Sequence, residues 1–134
     1  MTALIVEDNE VERDYVIQYL GKLGEVECET CAKLSEAMAE LVGRSFDLVI
    51  LDLQLEDSTA ENTITRLPEI REAAGTTPIV ICTGNPSAIL EGTMLFAQGI
   101  VRKPFTSDYF LDVVQTAITS TIAREPFAGL KKKP

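Results

Sequence analysis

A chain of 134 residues with a hydrophobic fraction of 46% has the size and interior of one globular domain, a single sheet between helix layers. Its longest apolar runs are too short to span a bilayer, so a soluble, cytoplasmic protein without membrane contact is expected. The formal net charge of -9 argues against a nucleic-acid groove, which needs clustered Lys and Arg; the one basic run, Lys131-Lys132-Lys133, reads as a solvated tail.

Thr2 to Glu7 is the first predicted strand, entered so early that no cleavable leader is expected before it. A helix follows from Glu7-Asp8-Asn9-Glu10, acids that suit a first turn because unpaired amides and the helix dipole favour negative charge there. It runs to about Leu23, with Tyr15, Tyr19, Leu20 and Leu23 as its core stripe and Gly24 as its stop. Glu25 to Thr30 alternates as a half-exposed edge strand does. Leu34, Ala37, Met38, Leu41 and Val42 then mark a second amphipathic helix, closed by Gly43.

The run from Phe46 to Leu55 is the centre of the chain. It is continuously apolar, as a strand buried on both faces must be, and it delivers Asp52 where polar sequence resumes. Ala60 to Ala74 follows as a helix with Pro68 near its middle, which predicts a break close to Leu67. Pro78 to Thr83 is the fourth strand, Ser87 to Ala97 a weak helix interrupted by Gly92, and Gly99 to Arg102 a short fifth strand. The last helix starts after Thr106 or Ser107, buries Phe110, Val113, Val114, Ala117, Ile118 and Thr121, and ends near Arg124. Five alternations of strand and helix call for an α/β three-layer sandwich with right-handed crossovers.

Cys28-Glu29-Thr30-Cys31 has the spacing of a redox or zinc motif. On a strand, positions three apart face opposite ways with α-carbons roughly 10 Å apart, too far for a disulfide. The sequence has no His, and Cys82 lies in another strand, so zinc lacks ligands and reduced thiols are expected.

Open parallel sheets carry their sites at the carboxyl ends of strands. Here those ends bring together Glu7 and Asp8, Asp52, Thr83, and Lys103. Three carboxylates in one cleft repel one another, so they keep a proton or recruit a cation. Mg²⁺ suits them, with Asp8 and Asp52 as direct ligands, the Gln54 carbonyl as a third, and Glu7 through water. A phosphodonor could then approach Asp52, whose attack gives an aspartyl phosphate stabilised by Lys103 and Thr83.

Taken as a set, Glu7-Asp8, Asp52-Leu53-Gln54-Leu55, Thr83-Gly84 and Lys103-Pro104-Phe105 make the chain resemble a receiver domain of a two-component response regulator, CheY-like, over residues 1-124, with 125-134 as tail or linker. The resemblance implies a flavodoxin-like fold: a five-stranded parallel sheet in order 2-1-3-4-5 with five helices. It makes Asp52 the acceptor from a histidine kinase or histidine phosphotransfer protein, Glu7 and Asp8 Mg²⁺ ligands, Thr83 the switch hydroxyl and Lys103 the phosphoryl contact, with a cis peptide before Pro104. It implies a signalling domain that mediates its own phosphoryl transfer and autodephosphorylation. Output would pass to a protein partner through the face of the fourth helix, fifth strand and fifth helix, with homodimerisation open.

Glu56 stands where receivers often have proline, Ala60 where they often have glycine, and Ile100 where an aromatic commonly swings inward. Gln54 and Asn85, two residues after Asp52 and Thr83, should flank the path of the hydrolytic water, unless they only cap their loops. Two other readings compete. A haloacid-dehalogenase-like Mg²⁺ phosphatase expects a second Asp where Gln54 stands. A receiver-like adaptor that is never phosphorylated is the other. A flavin or nucleotide binder is disfavoured by the lack of a glycine-rich loop after the first strand.

Overall fold

Alternation along the strands dictates the layering. Within β1 (Thr2–Val6), Leu4 and Val6 face one side of the sheet while Ala3 and Ile5 face the other, and β3 (Leu48–Asp52) and β4 (Ile79–Thr83) repeat that division. Both faces are apolar, so both must be covered by helices. The computed structural model describes the backbone of residues 1–123 and the side chains of residues 1–120, and it shows this sandwich. All neighbouring strands pair in parallel in the order β2-β1-β3-β4-β5, with β2 at Glu27–Cys31 and β5 at Gly99–Arg102.

One face packs against α2 (Leu34–Gly43), α3 (Ala60–Thr65) and α4 (Leu67–Ala74), and the other against α1 (Glu10–Leu20) and α5 (Ser107–Ala123). Leu4, Ile5, Leu48, Ile50, Leu51, Ile79 and Phe110 are fully buried, each contributing about 1.5–3 kcal/mol of transfer free energy. The family's strand order and covered parallel sheet are both present. Residues 124–134, which include the expected tail and basic run, lie outside the described residues, as does the Thr121 side chain.

Several local expectations change. The first helix starts at Glu10 instead of Glu7, because Asn9 caps it: its side chain accepts a hydrogen bond from the Glu12 amide at 3.0 Å. Its buried stripe is Val16 and Leu20, while Tyr15 is exposed and Tyr19 and Leu23 are half-buried partners of the core. In α2, Val42 is exposed, Met38 is half-buried, and Gly43 is the last helical residue. The helix expected over 60–74 is broken as Pro68 requires, at Arg66, and the proline sits in the first turn of α4 where its missing amide costs nothing.

The expected helix over 87–97 does not form. Two 3₁₀ turns, Pro86–Ala88 and Thr93–Leu95, take its place, separated by Gly92 in the left-handed region at φ 89°. A left-handed residue in its middle leaves neither half long enough for an α-helix. All three cysteines are free, as expected, and burial pushes the Cys31 thiol up to about 12, with help from the charges of Glu36, Glu40 and Asp57.

Candidate functional site

The carboxyl ends of β1, β3, β4 and β5 open into one cleft. Glu7 follows β1 and is 3% exposed, Asp52 closes β3 at 6%, and Thr83 closes β4 at 1%; Asp8, one residue further along, is exposed. Lys103 is carried in by the turn after β5, where its amide donates to the Thr83 carbonyl at 2.8 Å and its bond to Pro104 is cis, as expected. The cleft holds about 380 Å³ and is bordered by Asp8, Asp52, Gln54, Thr83, Asn85 and Lys103.

Lys103 is the electrostatic centre. Its Nζ lies 2.8 Å from Glu7 Oε1, 3.1 Å from Asp52 Oδ2 and 3.2 Å from Glu12 Oε1. Burial alone would push the amine's pKa down, but the hydrogen bonds and charges of Glu7 and Asp52 outweigh it and hold it well above the ordinary lysine value. Glu7 shifts upward: burial comes first, its hydrogen bond and repulsion with Asp52 add to it, and Lys103 only partly offsets them. A single ammonium therefore leaves the cleft short of positive charge.

A divalent cation fits that deficit. Glu7, Asp8 and Asp52 each offer an oxygen, and these oxygens all lie within 4.8 Å of one another. An all-oxygen set with one open side is the chemistry that Mg²⁺ prefers.

The other predicted residues are placed with more local work. Thr83 Oγ1 accepts from the Asn85 amide at 2.9 Å, so in this state its hydroxyl organises its own loop. Gln54 Oε1 accepts from the Ala60 amide at 3.2 Å, and Asn85 Oδ1 accepts from the Ser87 hydroxyl at 2.6 Å. Both amides thus bond within their loops while bordering the cleft. The loop after Asp52, left open by Glu56 and Ala60, is held by Thr63, whose hydroxyl donates to the Leu53 carbonyl at 2.6 Å, and by a Leu55–Ser58 turn. Ile100 is half-buried against the core.

Sequence reasoning missed Glu12. An acid in the first turn of a helix is already explained by the dipole, so nothing in the sequence set it apart. Only the packing of α1 beside the β5 turn shows that its carboxylate reaches Lys103.

Residues 3–115 match the response regulator receiver domain family. The sensory transduction protein LytR of Staphylococcus epidermidis is 29% identical over 110 residues, covering 81% of this chain and 42% of that protein. Among solved structures, NtrX from Brucella abortus superposes with a TM-score of 0.78 at 26% identity, over 96% of this chain and 29% of that one. The receiver domain of a Pseudomonas aeruginosa sensor histidine kinase, with a magnesium ion coordinated in its active-site cleft, gives a TM-score of 0.70 at 21% identity over 88% of this chain and 97% of that one. The chain thus spans less than half the length of LytR and of NtrX. With the family matched over most of its length and its fold reproduced, the chain belongs to the response regulator receiver domains of two-component signalling.

Proposed function

We propose that Asp52 is the phosphoacceptor of this receiver, with Glu7, Asp8, Asp52 and the Gln54 carbonyl holding Mg²⁺, Lys103 contacting the phosphoryl group and Thr83 acting as the switch hydroxyl. The observation that carries this reading is the Lys103 amine shared between Asp52 and Glu7 in a cleft whose three acids could hold a metal. Aspartate phosphorylation with Mg²⁺ is general to the family. Bound there, the cation would supply the positive charge that lets a phosphodonor approach. An Asp52 oxygen attacks phosphorus, the bond from phosphorus to the donor breaks, and the donor leaves with that electron pair. Lys103 then balances charge on the phosphoryl oxygens.

Receivers take their phosphoryl group from histidine kinases, so a kinase or a histidine phosphotransfer protein is the proposed donor here. The proposed output surface is the face of the 3₁₀ segment, β5 and α5, where Leu90, Met94, Leu95 and Tyr109 are exposed apolar side chains. Two copies could meet there as well. Residues 1–124 are proposed as the receiver unit and 125–134 as tail or linker, in a cytoplasmic protein. Among the described residues no helix is long and apolar enough to cross a membrane.

The phosphatase reading loses ground because the place of its second Asp is Gln54, whose side chain caps Ala60. The silent-adaptor reading requires loss of function elsewhere, because all the expected site residues are present in the sequence. Incubation with Mg²⁺ and acetyl phosphate should add one acid-stable, base-labile phosphoryl group, and Asp52→Asn should abolish it while the domain stays folded. Steady turnover of phosphate esters, or unchanged labelling of Asp52→Asn, would refute the assignment.

A further inference from the structure

The three carboxylates on Lys103 are not equivalent. Glu7 and Asp52 belong to the acid cluster suited to a metal, whereas Glu12 does not. A cation bound at that cluster would compete with the amine for the charge of Glu7 and Asp52 and would weaken its hold on both. Glu12 remains. Its Oε1 lies 3.2 Å from Lys103 Nζ, and its backbone is fixed by the Asn9 cap at the start of α1. An ammonium has three N–H donors, so one bond to Glu12 leaves two for phosphoryl oxygens.

We infer that Glu12 is a positioning residue for phosphoryl transfer: it keeps the Lys103 amine beside Asp52 once a metal occupies the acid cluster. The inference rests on Asp52 being the acceptor. Its bland counterpart is an ordinary first-turn acid stabilised by the helix dipole, which Glu10 exemplifies one residue into the same turn, exposed and with the same charge. The Glu12 side chain is 42% exposed, so solvent screens the pair and the effect should be severalfold, far short of that of losing the acceptor.

The test compares wild type, Glu12→Gln and Glu10→Gln at saturating Mg²⁺. The rate of phosphorylation by acetyl phosphate should fall about two- to fivefold in Glu12→Gln. Mg²⁺ affinity by calorimetry should stay within about twofold, and Glu10→Gln should match the wild type. In parallel, the Lys103 Nζ resonance, assigned by its loss in Lys103→Arg, is followed by nitrogen NMR with Mg²⁺ and no phosphodonor. It should move in Glu12→Gln alone. An unmoved resonance, an unchanged or faster rate in Glu12→Gln, or an equal loss in Glu10→Gln would overturn the inference. A wild type that accepts no phosphoryl group would instead overturn the reading of Asp52, while the Nζ resonance still decides whether Glu12 holds the amine.

Discussion

Asp57 follows the β3 strand end by five residues, yet its carboxylate serves another helix. Its oxygens accept from the amides of Leu34 at 2.6 Å and Ser35 at 3.1 Å, supplying the start of α2 with the cap that Lys33 cannot give. Slight burial would raise its pKa, but those amide bonds outweigh it and hold the group below its ordinary 3.8. A lowered carboxylate contributes stability above its unfolded value and loses it as pH falls through the folded one. Asp57→Ala should therefore cost about 1 kcal/mol near neutral pH by urea denaturation, and the gap from wild type should narrow as pH drops below 3.8. A constant gap across that range would remove the charge from the explanation. At this scale, residue identity pointed to Asp52 and Lys103, whose side chains meet in the cleft. It did not show the partners of Glu12 or Asp57, because those contacts join segments 91 and 22 or more residues apart, and no local pattern encodes such a meeting.

Among the elements, the five strands, α5 and the break before Pro68 lie close to where they were expected, and the segment over 87–97 does not. The break at Arg66 follows from one residue, since proline cannot sit deep in a helix. The segment over 87–97 has helical spacing of apolar residues, but Gly92 takes a left-handed conformation and Thr93 turns its hydroxyl back to the Leu90 carbonyl at 2.7 Å. Arg71 contributes from outside, donating to the carbonyls of Phe96 at 2.9 Å and Thr77 at 2.8 Å and to Gln98 Oε1 at 2.6 Å, so the end of this segment is tied to α4. Gly99 then opens β5 directly beneath α5. A Cβ there would meet Val113 Cγ1 at 2.6 Å, and a β-branched neighbour in a helix has little rotamer freedom to yield. Gly99→Ala should destabilise the domain by about 1–3 kcal/mol, read from the urea midpoint, even though alanine suits a strand better than glycine does. A neutral or stabilising result would mean that α5 shifts away at little cost.

Across the whole molecule, folding concentrates acids that repel one another, and the site and the stability are therefore linked. A metal that binds only the folded state shifts unfolding by mass action, by about 2.7 kcal/mol at a hundredfold excess over its dissociation constant. Mg²⁺ should raise the melting temperature of the wild type, and Asp8→Asn should lose most of that gain without itself unfolding the protein, because Asp8 is exposed. Equal gains in both proteins would place the cation elsewhere.

The sequence by itself determined the sheet, its layering and the acids at its carboxyl edge. Continuous apolar character along β1, β3 and β4, with alternate residues on opposite buried faces, is a local property of the chain, and parallel strands leave little choice about which end carries chemistry. Tertiary structure alone decided that Lys103 lies among three carboxylates, that Val16 and not Tyr15 turns inward from α1, and that the segment after Thr83 winds into 3₁₀ turns. The reason is common to all three. Each outcome depends on which neighbour fills the space beside a residue, and that is fixed only when the helices close on the two faces of the sheet.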